Sequence, residues 1–348
     1  EWLIRDGGGV DPARAAFGTV DAWLVHKLTG RHATDYSNAS RTLLFDIARL
    51  RWDTDLCELL GIPVESLPEP CPSAHVHGQT TEFGGSVPVA GIAGDQQAAL
   101  YGQACHRPGL GKNTYGTGSF VLLNAGPAPP PPEEGLLTTV AWGADGRVDY
   151  ALEAAIFVTG AAVQWLRDGL GLIASAGETE ELARSLDGND GVYFVPALTG
   201  LGSPHWDPYA RGTVVGLTRG SGRAHLARAT LEAIAYQTAD AVAAMESAAG
   251  IEFAELKADG GAVHNSWLMR FQADVLGVPV VVPEVAETTA LGAAYLAGVA
   301  VGAWTEADVA AMWREAARYE PRMPADRRAE LLAGWHRALE RSRGWAQA

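Results

Sequence analysis

The sequence predicts an α/β protein with two domains, and three observations lead to this prediction. At 348 residues, the chain is longer than one hydrophobic core usually serves. Its composition, 47% apolar and 19% charged residues, is typical of a folded chain and not of a disordered one. Between residues 256 and 300, short apolar runs alternate with helical patterns, which is typical of a sheet covered by helices.

In the first hundred residues, apolar side chains at helical spacing alternate with short turns. Three helices are predicted there, over residues 17–28, 54–60 and 97–105. The first is followed by Gly30, which is typical of a helix C-terminus. Residues 35–40 form a polar, turn-rich stretch. Residues 87–94 predict a strand that runs into a glycine turn before Asp95.

The middle of the chain predicts a hairpin, a proline-rich loop and two helices. The hairpin covers residues 112–123, and its tip at residues 116–119 is rich in hydroxyl groups and backbone N–H donors. Residues 127–132 are almost all proline, so we expect a stiff, solvated connection there in preference to a docking peptide. Two helices are predicted by apolar periodicity, over residues 156–170 and 225–245.

The last third predicts alternating strands and helices. These elements are a strand at 256–259, a turn at 260–261, a helix at 266–276, a strand at 278–282 and a helix at 288–300. The tail from Thr305 reads as helical, and Thr305 with Asp308 resembles a capping box. Four tryptophans are expected to anchor the core: Trp165, Trp206, Trp267 and Trp335.

Charge and cysteine usage exclude several classes of protein. The net charge of −15 argues against a nucleic-acid surface, which needs clustered Lys and Arg. A nucleotide remains possible, since backbone N–H groups can hold phosphates. No apolar run reaches the ~18–20 residues that span a bilayer. Three separate cysteines favour reduced thiols in a cytoplasmic protein without a metal site.

The segment Gly91–Leu100 contains the most informative polar residue of the chain. Asp95 is the only acid between Glu82 and Glu133, so a pairing within the sequence neighbourhood does not explain it. Two interpretations are open, a helix cap or a general base that takes a proton from a substrate hydroxyl. Gln96 and Gln97 follow and could orient polar groups nearby.

Four glycine turns predict a cleft that approaches an anion through backbone amides. They lie around Asp95, at 116–118, at Gly160 and at 260–261. Each turn alone is weak evidence, because glycine is common wherever the backbone needs a positive φ. The sequence contains neither a phosphate-binding P-loop nor a dinucleotide-binding fingerprint. Protein-kinase and serine-hydrolase motifs are also missing.

Several segments together resemble glycerol kinases, of the FGGY family of carbohydrate kinases. The resemblance covers residues 2–335 and is carried by Gly91–Leu100, Lys112–Gly118, Asp207–Leu217, Asp259–Ala262 and Thr289–Tyr295. It implies the actin- and hexokinase-like (ribonuclease H-like) ATPase fold with two domains. It also implies glycerol and ATP as substrates, with Mg²⁺ as cofactor, and sn-glycerol 3-phosphate as product.

The resemblance implies roles for eight residues. Asp95 would be the catalytic base, Gln96 would hold the substrate hydroxyls, and Phe120 would pack against the carbon chain of the polyol. Five residues would contact the nucleotide: Thr117, Gly160, Gln164, Gly261 and Asn265. Two alternatives stay open, since Phe120 could belong to the core and Asn265 could be a helix cap.

The chain departs from the family pattern at its start. Residues 1–5 read as the middle of an amphipathic helix, so we expect residues 1–101 to form the later part of a first, substrate-side domain and residues 102–348 the nucleotide-side domain. The phosphate hairpin that arranges Mg²⁺, and most of the glycerol grip, would lie in sequence ahead of Glu1. We therefore expect no metal site in this chain and no turnover by the chain alone.

Other properties follow from the resemblance as expectations. A homo-oligomer, dimer or tetramer, is expected. Val87 follows Gly84-Gly85-Ser86 where bisphosphate-inhibited relatives carry arginine, so inhibition by fructose 1,6-bisphosphate is not expected. Two alternative functions remain open: a kinase of another polyol or ketose, and a nucleotide-binding protein that has lost catalysis.

Overall fold

The computed structural model of the protein describes Ile4 and residues 10–347. The helix expected over residues 1–5 lies outside the described residues, apart from Ile4. Within the described part of the chain, no helix combines the length and the apolar character needed to cross a membrane.

Residues 10–102 form small sheets connected by short helices. The elements are α1 (Val20–Thr29), β1 (Ala33–Asp35), α2 (Tyr36–Ala39), β2 (Phe45–Asp46), β3 (Arg51–Trp52), α3 (Thr54–Leu59), β4 (Glu69–Cys71), β5 (Ala74–Thr80), β6 (Val87–Gly91) and α4 (Asp95–Gly102). Three two-stranded sheets result: β1 with β4 in parallel, and β2 with β3 and β5 with β6 in antiparallel. Gly30 closes α1 in the left-handed conformation, as predicted.

A seven-stranded sheet organises the rest of the chain. Its strands are β7 (Leu110–Tyr115), β8 (Ser119–Gly126), β9 (Leu137–Ala144), β10 (Arg147–Ile156), β13 (Glu255–Gly260), β14 (Val280–Pro283) and β15 (Glu315–Tyr319). The order is β15-β14-β13-β7-β8-β10-β9. β13 runs parallel to β7 and β14, and the other pairs are antiparallel. The predicted hairpin is β7 and β8.

Helices cover both faces of this sheet. They are α5 (Gly160–Gln164), α6 (Glu178–Arg184), α7 (Arg223–Ala249), α8 (Ser266–Leu276), α9 (Thr288–Ala300), α10 (Glu306–Met312) and α11 (Ala325–Ser342), with a small sheet of β11 (Tyr193–Val195) and β12 (Thr213–Val215). Val121 and Leu123 pack toward the α7 and α8 side, whereas Leu122 between them packs toward α4 and α9. This alternation is the ordinary period of two along a strand.

The structure corrects two predicted elements. Residue 156 ends β10 and does not begin a helix; the helix starts only at Gly160 and continues as a π-helical turn, Trp165–Gly169. Strand β10 lies between β8 and β9 in the sheet, and its residues 150–154 are buried on both faces. Periodicity alone therefore does not distinguish it from a buried helix. The tail from Thr305 is not wholly helical, since β15 pairs with β14.

The expected tryptophan anchors are only partly confirmed. Trp335 is completely buried, but Trp206 is 44% exposed and is no core residue. Its indole N–H donates to the carbonyl of Gly135 at 2.8 Å, which holds it at the surface. Trp165 and Trp267 are half-buried and pack against the core. The predicted capping box of Thr305 and Asp308 is present.

Candidate active site

Asp95 lies at the start of α4, directly after the turn that follows β6. The residue at the N-cap is Gly94, which has no side chain to offer. The carboxylate of Asp95 is exposed, and its Oδ1 accepts the backbone N–H of Gln96 at 2.8 Å. Asp95 is therefore not the cap of α4. Its position in the first helical turn is still favourable for a negative charge.

A buried carboxylate behind this turn holds it in place. Asp35 is completely buried and accepts hydrogen bonds from the hydroxyls of Ser37 (2.8 Å) and Ser73 (2.6 Å) and from Nδ2 of Asn38 (2.7 Å). The Ser37 hydroxyl in turn accepts the N–H of Gly94 at 2.8 Å. Burial raises the pKa of Asp35. Through Ser37, the residue ties α2 to the backbone that carries Asp95.

A cavity of about 540 Å³ opens in front of Asp95. It brings together Asp95, Gln96 and Phe120, the three residues expected on the substrate side. Phe120 is 38% exposed, so it is not a core residue, and that alternative is wrong. Gln97 borders the cavity as well, but it is buried and its Nε2 donates to the hydroxyl of Thr139 at 3.1 Å.

Sequence reasoning missed several residues of this cavity. Asn38, Arg41 and Glu153 line it, and Arg41 forms an ion pair with the buried Glu153 at 2.8 Å. These two residues are 112 positions apart, so no local pattern could have revealed the pair. Behind the cavity lies the buried Lys112, whose Nζ donates to Oε1 of Gln96.

A second cavity, of about 400 Å³, contains all five residues expected to contact a nucleotide: Thr117, Gly160, Gln164, Gly261 and Asn265. The tip of the β7–β8 hairpin forms one wall. The turn before α5 packs against this tip, since the N–H of Gly160 donates to the carbonyl of Gly116 at 3.0 Å. A Cβ on Gly160 would stand 2.6 Å from that carbonyl oxygen, so the close approach requires glycine.

The opposite wall is the turn between β13 and α8. At Gly261, no heavy atom lies within 4 Å of the position a Cβ would take, so the space beside it is open. Asn265 caps α8, because its Oδ1 accepts the N–H of Leu268 at 2.9 Å, and it also lines the cavity. Asn265 is therefore both the cap of α8 and part of the cavity wall. Sequence reasoning missed Thr179 and Glu180, which border the same cavity.

One hairpin connects the two cavities. Thr117 at its tip lines the second cavity, and Phe120, three residues later, lines the first. Because three residues span at most about 10 Å even when fully extended, a ligand in each cavity would bring their ends close together. An exposed carboxylate on one side and a glycine-rich wall of backbone donors on the other suit the transfer of an anionic group to a hydroxyl.

The part of the chain that the structure describes contains no pre-formed metal-binding site. No group of three or more His, Cys, Asp or Glu side chains is arranged there to hold a metal ion.

The comparisons with known families match nearly the whole chain. Residues 1–102 match the N-terminal domain of the FGGY family of carbohydrate kinases, and residues 111–301 match its C-terminal domain. The "Glycerol kinase" of Symbiobacterium thermophilum is 57% identical, over 99% of this chain and 71% of that protein. The "Glycerol kinase" of Trichlorobacter lovleyi is 58% identical, over 99% of this chain and 72% of that protein.

Solved structures agree in fold. The crystal structure of Plasmodium falciparum glycerol kinase with ADP superposes with a TM-score of 0.93 at 34% identity, covering 98% of this chain and 70% of that one. The fold is thus the two-domain α/β fold of the actin- and hexokinase-like ATPases, which confirms the fold prediction. This similarity extends across both cavities.

Proposed function

This chain belongs to the FGGY family of carbohydrate kinases, and we propose that it serves the ATP-dependent phosphorylation of glycerol to sn-glycerol 3-phosphate. The names of relatives at 57% and 58% identity support this substrate. The observation that carries the proposal is the pair of cavities joined by one hairpin, with the Asp95 carboxylate facing the first. Phosphoryl transfer consists mostly of positioning and charge stabilisation, and this arrangement supplies both.

On the substrate side, Asp95 accepts the proton of the attacking hydroxyl. Its carboxylate is exposed to the cavity. Oδ1 accepts the backbone N–H of Gln96 at 2.8 Å, and Oδ2 has only the long contact with Nε2 of Gln96 at 3.4 Å, so Oδ2 can still accept a substrate hydroxyl. Gln96 orients the hydroxyls, and the exposed ring of Phe120 covers the apolar edge of the polyol. Removing the proton as the oxygen attacks is general base catalysis.

On the nucleotide side, Thr117 contacts the terminal phosphate from the hairpin tip. Gly160 and Gln164 lie beside the nucleotide, and Gly261 with Asn265 frame its adenine and ribose end. Mg²⁺, when bound with ATP, neutralises charge on the phosphates. We assign this chain no Mg²⁺ ligand among its described residues. We propose the division of labour expected above, with residues 1–101 on the substrate side and 102–348 on the nucleotide side.

Two further properties belong to the proposal. Three buried cysteines without disulfide partners support a reducing, cytoplasmic location. A homo-oligomer remains expected from the resemblance, and light scattering of the purified protein measures it directly.

The first experiment measures ADP binding to the purified chain by calorimetry, because all five residues expected to contact the nucleotide line the second cavity of this chain. We expect saturable binding that is weakened in Thr117→Val. Thr213→Val serves as the control, since the Thr213 hydroxyl donates to the carbonyl of Arg211 and lies outside the cavity. Absence of ADP binding would contradict the nucleotide assignment.

The second experiment measures ADP release with ATP, Mg²⁺ and a panel of glycerol, xylulose, ribulose and erythritol. It is run on the chain alone and on a fusion that places the unmatched part of the Symbiobacterium relative ahead of Glu1. We expect the fusion to prefer glycerol and the chain alone to show no turnover. A fusion that prefers a ketose would contradict the glycerol assignment. Turnover by the chain alone would contradict the expectation that the chain alone is inactive.

A further inference from the structure

Lys112 has no part in the function proposed above, yet it lies directly behind the catalytic turn. It occupies the centre of the seven-stranded sheet on β7 and is completely buried. Its Nζ donates to Oε1 of Gln96 on α4 and to the hydroxyl of Thr114 at 2.8 Å. A buried ammonium thus connects the nucleotide-side sheet to the helix that begins at Asp95.

Placing a lysine here costs folding free energy. Burial lowers the pKa of Lys112 to about 8, because desolvation disfavours the charged form. Four acidic groups on neighbouring segments interact electrostatically with the ammonium: Asp259 on β13, Glu153 on β10, Asp95 on α4 and Cys105 after α4. An apolar residue of similar size would avoid the desolvation penalty, so stability does not explain this lysine.

The lysine dictates how the Gln96 carboxamide is oriented. An ammonium can only donate hydrogen bonds, so the amide oxygen of Gln96 must face Lys112. The amide nitrogen then faces the other way, toward Oδ2 of Asp95 at 3.4 Å. With the backbone N–H of Gln96 already on Oδ1 of Asp95 at 2.8 Å, both donors of this residue converge on the carboxylate.

We propose that Lys112 is a positioning residue for phosphoryl transfer, which holds the Gln96 carboxamide with its nitrogen toward Asp95 and toward the substrate hydroxyls. Without the ammonium, the amide could rotate by half a turn and present its oxygen to the carboxylate, where two acceptors repel each other. The inference rests on the proposed function, because the catalytic consequence requires Asp95 to be the base.

The orientation itself is tested without turnover, by NMR of the ¹⁵N-labelled chain. The two side-chain amide protons of Gln96 are assigned by their loss in Gln96→Met. We expect both to be dispersed and slow to exchange with water, and to shift as the pH rises through about 8. In Lys112→Met they should collapse to the positions of a free amide and lose that pH response. Unchanged signals in Lys112→Met would overturn the inference.

The catalytic consequence is tested in the protein that turns over glycerol. Lys112→Met should lower kcat roughly 10- to 100-fold, the scale of a small misplacement of reacting groups, with KM for ATP little changed. The matched control is Lys257→Met. Lys257 is also buried and is the register partner of Lys112 on β13, but its Nζ donates to the carbonyl of Gln103, away from the cavity.

A double variant separates positioning from general damage. Because Lys112 acts through Gln96, adding Lys112→Met to Gln96→Met should lower kcat little further. Fully additive losses, or an equal loss in Lys257→Met, would refute the positioning role. If the unsubstituted fusion shows no turnover with glycerol, the proposed function fails, and the NMR result still decides the orientation.

Discussion

The two cavities are built in different ways. The second cavity, expected to hold the nucleotide, is walled by turns in which neighbouring residues act together, at the hairpin tip, before α5 and after β13. The cavity before Asp95 is assembled from side chains far apart in sequence, such as Asn38, Arg41 and Glu153. The wall of the nucleotide cavity therefore depends on local backbone geometry. The wall of the Asp95 cavity depends on which elements pack together.

Their apolar linings differ too. Leu231 and Leu268, which line the second cavity, are 2% and 1% exposed. Val20 and Leu24 on α1, which border the Asp95 cavity, are 75% and 47% exposed. The second cavity is therefore set into the core, whereas the Asp95 cavity opens along an apolar helix face. We expect substitutions in the Asp95 cavity to affect turnover. Substitutions in the second cavity should affect nucleotide binding.

The largest expected effect is that of Asp95→Asn. Loss of the base should lower kcat by about 10²- to 10⁴-fold and leave the Kd for ADP unchanged, because Asp95 lies in the other cavity. Steady-state kinetics and calorimetry measure the two quantities. Asp21→Asn is the matched control, since Asp21 borders the same cavity but is held by the hydroxyl of Thr34 at 2.6 Å. A comparable loss in both variants would contradict the role of Asp95.

The buried charge behind the Asp95 cavity predicts a pH-dependent stability. Lys112 has a pKa of about 8 in the folded protein, against 10.5 ordinarily. Between these values the unfolded chain binds more protons, so the free energy of unfolding rises with pH from about 8 to 10.5. The rise amounts to up to about 3 kcal/mol.

Urea unfolding at several pH values measures this rise, and Lys112→Met is the comparison that isolates it. As the pH increases, the free energy of unfolding of the unsubstituted chain should rise relative to that of Lys112→Met. Parallel pH curves for the two proteins would show that Lys112 does not titrate in this range.

A smaller effect is expected when the open space of the second cavity is filled. Gly261→Val should raise the Kd for ADP roughly 10- to 100-fold, equivalent to about 1.4–2.7 kcal/mol, since its side chain would occupy the cavity. The unfolding midpoint should barely change, because no atom lies near the new Cβ. Gly220→Val is the control and should bind ADP normally, since Gly220 lies in an exposed loop where a new Cβ would only contact the Thr218 hydroxyl at 3.7 Å. Unaltered binding in Gly261→Val would place the nucleotide elsewhere.

The smallest effect separates the two roles of Asn265. Asn265→Ala removes the cap of α8 and should lower the free energy of unfolding by about 1 kcal/mol, as well as weakening ADP binding. Asn265→Ser keeps a capping oxygen and should recover most of the stability but not the binding. If Asn265→Ser recovered both the free energy of unfolding and the affinity for ADP, Asn265 would act on nucleotide binding only by capping α8.

Local chemistry explains which elements the sequence predicted well. The helices over 266–276 and 288–300 have the predicted bounds. Asn265 caps the first of them and Gly277 ends it in the left-handed conformation. Two predictions were wrong: residue 156 was expected to begin a helix, and the segment of β15 was expected to be helical. A strand buried on both faces loses the alternation that identifies strands, and an edge strand such as β15 forms only because β14 is there to pair with it.

The sequence by itself determined the glycine turns and placed an acid directly after one of them, since such turns depend on backbone conformations that only certain residues adopt. The residues expected around a nucleotide came from the resemblance to a known family. Tertiary structure alone decided how Asp95 is supported. Asp35 reaches Gly94 through Ser37, and Lys112 reaches Gln96 across the sheet. Hydrogen bonds and charges act over a few ångströms of space whatever the separation along the chain, so only folding brings such partners together.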